Sequence, residues 1–255
     1  TLDPLATGLL PLCFGEATKF SADLLDADKT YEAVLKLGVT TDTGDAEGEI
    51  IATAAVDVEK NDIVSVLPQF KGDIRQIPPM HSALKRNGRP LYELARQGIE
   101  VERAPRDVTI HAIECLGFAG DRLTLRVACS KGTYVRVLAA DIGQALGCGA
   151  HLVALRRIAV GALDLNGAVT LAELEALDEA GRAGRLQPVD ALLRSLPIMV
   201  VEGESAERFR HGNPVDLQPG LAGKIRVYAG GRLIGVGEPG SDGRLWPKRL
   251  VQLAV

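Results

Sequence analysis

One carboxylate in this chain stands apart from the rest. Asp3 lies in Thr1-Leu2-Asp3-Pro4-Leu5-Ala6-Thr7-Gly8-Leu9-Leu10-Pro11, a stretch otherwise apolar or turn-forming. Pro4 fixes its own φ and pushes Asp3 away from helical geometry, and Gly8 and Pro11 are expected to interrupt any regular element. An acid held stiffly among Leu2, Leu5, Leu9 and Leu10 is partly desolvated, and such an acid either finds a cation or takes up a proton. Its ordinary alternative is a helix N-cap.

Two further groups have chemistry-bearing types. Tyr31 begins the apolar face of an alternating segment, near an end where a ring reaches a cleft; the plain reading is a core tyrosine with a wet hydroxyl. Lys131, Tyr134 and Arg136 cluster at a strand-to-helix junction, where free backbone amides favour an anion. An Arg at a helix start such as Arg136 is ordinarily a solvated residue.

The elements that must position these groups follow from periodicity. Glu16 to Asp26 has helical spacing of Ala17, Phe20 and Leu24. Lys29 to Gly38 alternates as a strand, with Tyr31, Ala33, Leu35 and Leu37 on one face. Thr40 to Glu49 is an acidic, glycine-bearing loop that lacks the alternating acids of a calcium loop. A short helix over Asn61 to Leu67 is limited by Pro68. Gln76 to Gly88 is a projecting Pro/Gly/basic loop, followed by a brief helix from Leu91 to Gln97. Arg106 to Phe118 and Arg122 to Cys129 form a hairpin around Gly120-Asp121. Thr133, a fair N-cap, opens a helix running to about Leu146, and Leu152 to Val160 is a strand carrying Arg156 and Arg157. Thr170 and Glu173 make a capping box for a helix to about Ala183, and another short helix spans Val189 to Leu196. Beyond Leu196, short strands (Ile225 to Tyr228, Leu233 to Val236, Leu250 to Leu253) separated by glycine turns predict a small β-barrel.

The chain has 255 residues and a net charge of −4, which alone argues against a nucleic-acid partner. The distribution points the other way. Between Lys71 and Arg106 eight Lys/Arg face four acids, so this segment is +4 and the remainder −8. A basic stretch on an acidic body suits phosphate contact, with a solvated face as the alternative. No apolar run reaches a membrane span and no signal-peptide pattern is present. Cys13, Cys115, Cys129 and Cys148 stand apart, His81 has no ligand partner nearby, and Cys148 and His151 form a lone pair, so neither zinc nor redox chemistry is expected. A reduced cytoplasmic protein is the simplest reading.

Several blocks, in order, resemble the TruB family of bacterial tRNA pseudouridine-55 synthases: Leu2-Asp3-Pro4 through Pro11, Gly15 to Lys19, Lys29-Thr30-Tyr31, Thr41 to Asp45, Gln76 to Lys85, Tyr92 to Gly98, Cys129 to Arg136, and Cys148 to Arg157. Arg210 to Val215 resembles the family's C-terminal PUA-like RNA-binding domain. The resemblance implies an α+β fold: a mixed and largely antiparallel-sheet pseudouridine synthase catalytic domain with flanking helices over 1–190, and a PUA-like β-barrel over 196–255. The family carries a few dozen further residues upstream, including a histidine just before the Leu-Asp-Pro block, so a preceding segment is expected.

The same resemblance implies the chemistry. Asp3 is the essential carboxylate, attacking C1′, adding to C6, or taking a 2′ proton in a glycal route. Arg136 is its cation. Tyr31 stacks on the target base and handles the C5 proton, while Tyr134 and Leu155 shape the pocket. Lys19, Lys85, Arg86, Arg96, Lys131 and Arg157 contact RNA, with 76–106 an RNA-binding arm that is mobile without RNA. No cofactor or metal is implied. The partner is the T-stem-loop of tRNA, bound by a monomer. The competing readings are a non-catalytic RNA-binding protein, an Asp42/Asp45 magnesium phosphoryl-transfer enzyme, and a guide-RNA-directed relative.

Overall fold

The computed structural model describes residues 2–86 and 88–252, so Thr1, Asn87 and the end of the expected strand at Leu253 lie outside the described residues. Contacts divide the chain into two compact units, one holding the residues up to Leu10 with Asp26–Val160, the other Pro11–Leu25 with the chain from Gly161 onward. In the second unit Phe20, Leu193, Leu233 and Val236 share one buried cluster, against which Val189, Leu192 and Leu196 pack. Among the described residues no helix is long and apolar enough to cross a membrane.

The first unit is a mixed sheet. Its strands β1 (Ala6–Gly8), β2 (Lys29–Leu37), β3 (Gly72–Gln76), β4 (Arg106–Ala119), β5 (Arg122–Cys129) and β6 (Ala150–Val160) run in the order β1-β6-β2-β5-β4-β3. β1 lies parallel to β6, and the other pairings are antiparallel. Alternation dictates the buried face of β2, where Ala33, Leu35 and Leu37 are almost fully enclosed. The helix Val135–Ala145 lays Val135, Leu138, Ala139 and Ile142 onto that face. It comes so close that a Cβ on Gly143 would stand 2.2 Å from the Ala150 nitrogen.

The opening stretch takes the turn that Pro4 predicts and not the helix cap that was its alternative. Asp3 caps no helix: its carbonyl accepts from the Ala6 N–H at 2.9 Å, closing a turn with Pro4 in second position. Gly8 ends β1, as expected of it, with φ +97°, where a Cβ would meet the Arg157 carbonyl oxygen at 2.2 Å. Thr133 is also no cap, since Tyr134 holds that position and the Thr133 hydroxyl donates to Ser130 O.

The second unit is built on a five-stranded, curled half-barrel sheet, ordered Ile198–Val200, Ile225–Ala229, Arg232–Pro239, Arg244–Leu250 and Val215–Asp216. The helix Gly203–Arg210 buries Ala206 and Phe209 against Met199, Val227, Ile234 and Leu245. The Thr170–Glu173 capping box forms, but its helix ends at Ala176: Leu177 is extended and Asp178 caps a second helix, Glu179–Ala183. The expected helices at 16–26 and 189–196 are instead a 3-10 turn followed by Ser21–Asp26, and a 3-10 turn Val189–Leu193. The last strand is Arg244–Leu250 and ends where the expected one began.

Candidate active site

The turn after Pro4 drops Asp3 beside the start of the helix Val135–Ala145, and there it meets Arg136. Arg136 Nε lies 3.1 Å from Asp3 Oδ2. Its Nη1 lies 3.1 Å from Asp45 Oδ2 and 3.4 Å from the Thr43 carbonyl oxygen. Nη2 donates to the His81 carbonyl at 2.8 Å. A guanidinium has five N–H donors in one plane, and here three loops from distant parts of the chain occupy that fork. The two carboxylates differ in access: the Asp45 side chain is 4% exposed and the Asp3 side chain 43%. Asp45 is a built support and Asp3 is a reachable group.

Asp45 owes its fixity to its own loop. Its Oδ1 accepts from the Thr43 hydroxyl at 2.6 Å and from the Glu47 N–H at 3.0 Å, and its carbonyl accepts from the Thr41 hydroxyl at 2.7 Å. A charge this buried is tolerable only with an opposite charge and satisfied oxygens, and both conditions hold. Neither this role nor that of Gln76 follows from the sequence patterns. Gln76 is 2% exposed, and its amide takes the Tyr134 N–H at 2.9 Å and donates to the Tyr134 carbonyl at 3.3 Å. It thereby uses the helix-start amide that had been expected to meet an anion.

A cleft of about 120 Å³ opens over the pair, lined by Leu2, Asp3, Ala6, Tyr31, Thr133, Tyr134, Val135, Arg136 and Leu155. All five residues read from the sequence as catalytic or pocket-forming are in that lining. Tyr31 enters from β2 and Leu155 from β6, two strands paired with Leu155 opposite Ala33 and Arg157 opposite Tyr31. Burial pushes the Tyr31 phenol above its ordinary value, Cys129 and Asp3 act the same way, and Arg157 pulls it back. Cys129 is itself pushed up to about 11, chiefly by burial.

The basic residues separate by environment. Lys85, Arg86 and Arg96 are exposed, with Lys85–Arg86 pairing to Arg89–Pro90 and Arg96 lying 5.5 Å over the Tyr92 ring. Lys131 is exposed and pairs with Asp26 at 2.7 Å. Lys19 belongs to the second unit, where Glu16 and the Leu250 carbonyl take its ammonium at 2.7 and 3.0 Å. Arg157 does not stand on the surface at all: it is 6% exposed, with Nε donating to the Leu9 carbonyl at 2.8 Å. Its position on β6 explains this, because Arg157 shares the inward face with Leu155 while Arg156 points out. Among the described residues no three His, Cys, Asp or Glu side chains gather as a metal site. His151 Nδ1 instead lies 2.9 Å from the Val39 carbonyl.

Comparison with known proteins agrees along the chain. Residues 1–135 match the TruB family pseudouridylate synthase N-terminal domain, 136–194 the tRNA pseudouridylate synthase B C-terminal domain, and 197–251 the C-terminal domain of pseudouridine synthase II TruB. The tRNA pseudouridine synthase B of Dechloromonas aromatica (strain RCB) is 80% identical over 254 residues, covering 100% of this chain and 85% of the relative. That of Aromatoleum aromaticum is 57% identical over 251 residues, covering 98% and 82%. Among solved structures, the crystal structure of a Cbf5-Nop10-Gar1 complex aligns with a TM-score of 0.69 at 28% identity, over 93% of this chain and 67% of that one. An H/ACA RNP bound to a substrate RNA containing 2'-deoxyuridine shares the fold, with a TM-score of 0.71 at 23% identity over 99% and 74%. With a fold and a sequence that agree from end to end, the chain belongs to the TruB family of pseudouridine synthases.

Proposed function

We propose that the Asp3 cleft converts uridine to pseudouridine at position 55 in the T-loop of tRNA, on a base flipped out of the RNA fold. The observation that carries this reading is the Asp3–Arg136 pair at 3.1 Å, set at a cleft that Tyr31 also lines. The name shared by the relatives, tRNA pseudouridine synthase B, supports the same substrate class.

The reaction is a rearrangement. The N1–C1′ bond breaks, the uracil turns, a C5–C1′ bond forms, C5 gives up its proton and N1 takes one. Atoms and electrons balance without a cofactor. Asp3 serves it by attacking C1′, by adding to C6, or by taking the 2′ proton, and all three need one oxygen free. Arg136 holds Oδ2 and fixes the carboxylate, whose exposed face is left for the substrate. Tyr31 stacks on the flipped base and receives the C5 proton, with Tyr134 and Leu155 closing the walls. Flipping costs a few kcal/mol, offset by stacking and phosphate contacts. Lys85, Arg86, Arg96 and Lys131 supply those contacts to the T-stem-loop, with the enzyme acting as a cytoplasmic monomer.

The test is Asp3→Asn. It should bind tRNA with unchanged affinity and release no tritium from 5-tritiated uridine in tRNA. A variant that still turns over removes Asp3 from the mechanism. A parent that binds tRNA and never releases tritium leaves only an RNA-binding role.

A further inference from the structure

Arg157 is a charged side chain buried to 6% exposure, and nothing in the reaction as described uses it. Its surroundings are specific. Across the β6–β2 pairing it stands directly opposite Tyr31, and across the β1–β6 pairing opposite Gly8. The contact with the chain beyond Gly8 is reciprocal: Leu9 gives its N–H to the Arg157 carbonyl at 2.7 Å, and its own carbonyl receives Arg157 Nε–H at 2.8 Å. The glycine at position 8 is what lets that chain come so close, since a Cβ there would collide with the Arg157 main chain. Arg157 is thus fastened to the strand that leaves the Asp3 turn and faces the strand that carries Tyr31.

We propose that Arg157 is the positioning residue for Tyr31, its guanidinium joining the phenol to the strand behind Asp3 so that ring, acid and substrate keep one register. The inference rests on the reading of Tyr31 as the group that stacks on the base and takes the C5 proton. A tyrosine that accepts a proton must do so as the phenolate, the form that a neighbouring cationic donor favours. Both the charge and the hydrogen bond of Arg157 draw the Tyr31 phenol downward, against burial, Cys129 and Asp3. The other charged or titratable groups around it are Arg136 and Tyr134, which line the same cleft, and Lys29, whose ammonium is lowered first by burial and then by the charge of Arg157.

Arg157→Gln separates this role from RNA contact and from packing. Single-turnover tritium release at saturating enzyme should slow roughly 10- to 30-fold, the scale of a lost positioning contact. The tRNA dissociation constant from filter binding should stay within about twofold. The rate, which for a phenol base climbs with pH, should level off at higher pH than in the parent, because the downward pull is gone. Arg157→Lys, which keeps the charge, should recover part of both rate and profile.

Three results overturn the proposal. The first is a Gln variant that turns over like the parent at every pH. The second is one that loses affinity as much as rate, which makes Arg157 an RNA contact. The third is a rate loss with an unchanged pH profile that Lys does not relieve, which makes it packing alone. If Arg157→Gln fails to fold, the Lys variant decides by the same profile, and a profile identical to the parent's overturns the idea. Tyr31→Phe keeps the two readings apart: a fully active Phe variant sinks the role of Tyr31 itself, whereas an inactive Phe variant beside a parent-like Gln variant sinks only the role of Arg157.

Discussion

Each of the two units holds a cluster of a tyrosine, an aspartate and a buried arginine. In the second unit Arg226 donates through Nε to the Leu196 carbonyl at 3.1 Å and through Nη2 to the Arg194 carbonyl at 3.3 Å. Its Nη1 lies 4.0 Å from Asp190, and the Tyr228 hydroxyl donates to the same carboxylate. These contacts are spent tying the segment 189–196 to the strand Ile225–Ala229. In the first unit Arg136 is equally buried, yet one of its two carboxylates is 43% exposed and lines a cleft with Tyr31. The residue types are the same in both places. On the proposed reading, reactivity needs an acid fixed on one side and open on the other, whereas the second cluster spends its polar ends on the main chain and on one another.

The sharpest way to break that contrast is to change the aspartate in both places. Asp3→Asn should cost at least ~10³-fold in single-turnover rate with little change in the urea midpoint, as expected of a group that takes part in bond making. Asp190→Asn should do the reverse, lowering stability by about 2 kcal/mol, the range for a hydrogen bond to a charged group, while turnover per folded molecule stays level. If Asp190→Asn slows the chemistry of the folded enzyme, the division of labour between the clusters is wrong.

Asp45→Asn tests the buried side of the proposed Asp3–Arg136 site. It keeps an acceptor for Thr43 and Glu47 but removes the charge facing Arg136 Nη1 at 3.1 Å. A charge-assisted hydrogen bond is worth about 2–3 kcal/mol, which converts to a rate loss of roughly 30- to 150-fold if it serves to aim the guanidinium. The tRNA affinity should not move, and a loss of affinity in step with rate would mean that Asp45 shapes the RNA surface instead. A smaller effect is expected in the second cluster at high pH. The Tyr228 phenol is raised by burial first and by its bond to Asp190 next. A raised folded value means the stability is fully present below the ordinary phenol value of about 10 and is lost as pH climbs past it. Urea midpoints between about pH 9 and 11 should therefore fall in the parent more steeply than in Tyr228→Phe.

The sequence made some of this legible and hid the rest for physical reasons. The inner face of β2 was readable because a half-buried strand writes its burial in a period of two, and the Thr170–Glu173 capping box because both partners lie within one turn. Asp3, Tyr31, Tyr134, Arg136 and Leu155 came together as the motif blocks implied. Asp45 did not announce itself: Asp42 and Asp45 look alike in the chain, and what separates them is a guanidinium 91 residues away. Gln76 was likewise invisible as the partner of Tyr134, 58 residues on, and that long-range bond displaced the local cap expected at Thr133. Arg157 was read as one more basic group, although its alternation with Leu155 already placed it on the inward face.

The exposed arm extends the same logic to binding, where open groups gain affinity and buried ones gain geometry. Lys85 and Arg86 are exposed on the short ribbon with Arg89–Pro90, far less enclosed than Arg136. Neutralising a phosphate releases counterions, so log affinity falls against log salt with a slope of about 0.7–0.9 per contact. Replacing both residues with Ala should weaken tRNA binding roughly 3- to 10-fold at moderate salt and flatten that slope by about 1.4–1.8 if each meets one phosphate. The single-turnover rate at saturating tRNA should stay at the parent value, because neither side chain reaches the cleft lining. Amide exchange across 83–103 should slow when tRNA is added, while the helix Val135–Ala145, already packed on the sheet, should change little. An unchanged salt slope in the double variant would take the arm out of the RNA interface, and a fall in rate at saturation would mean that its side chains act on the chemistry after all.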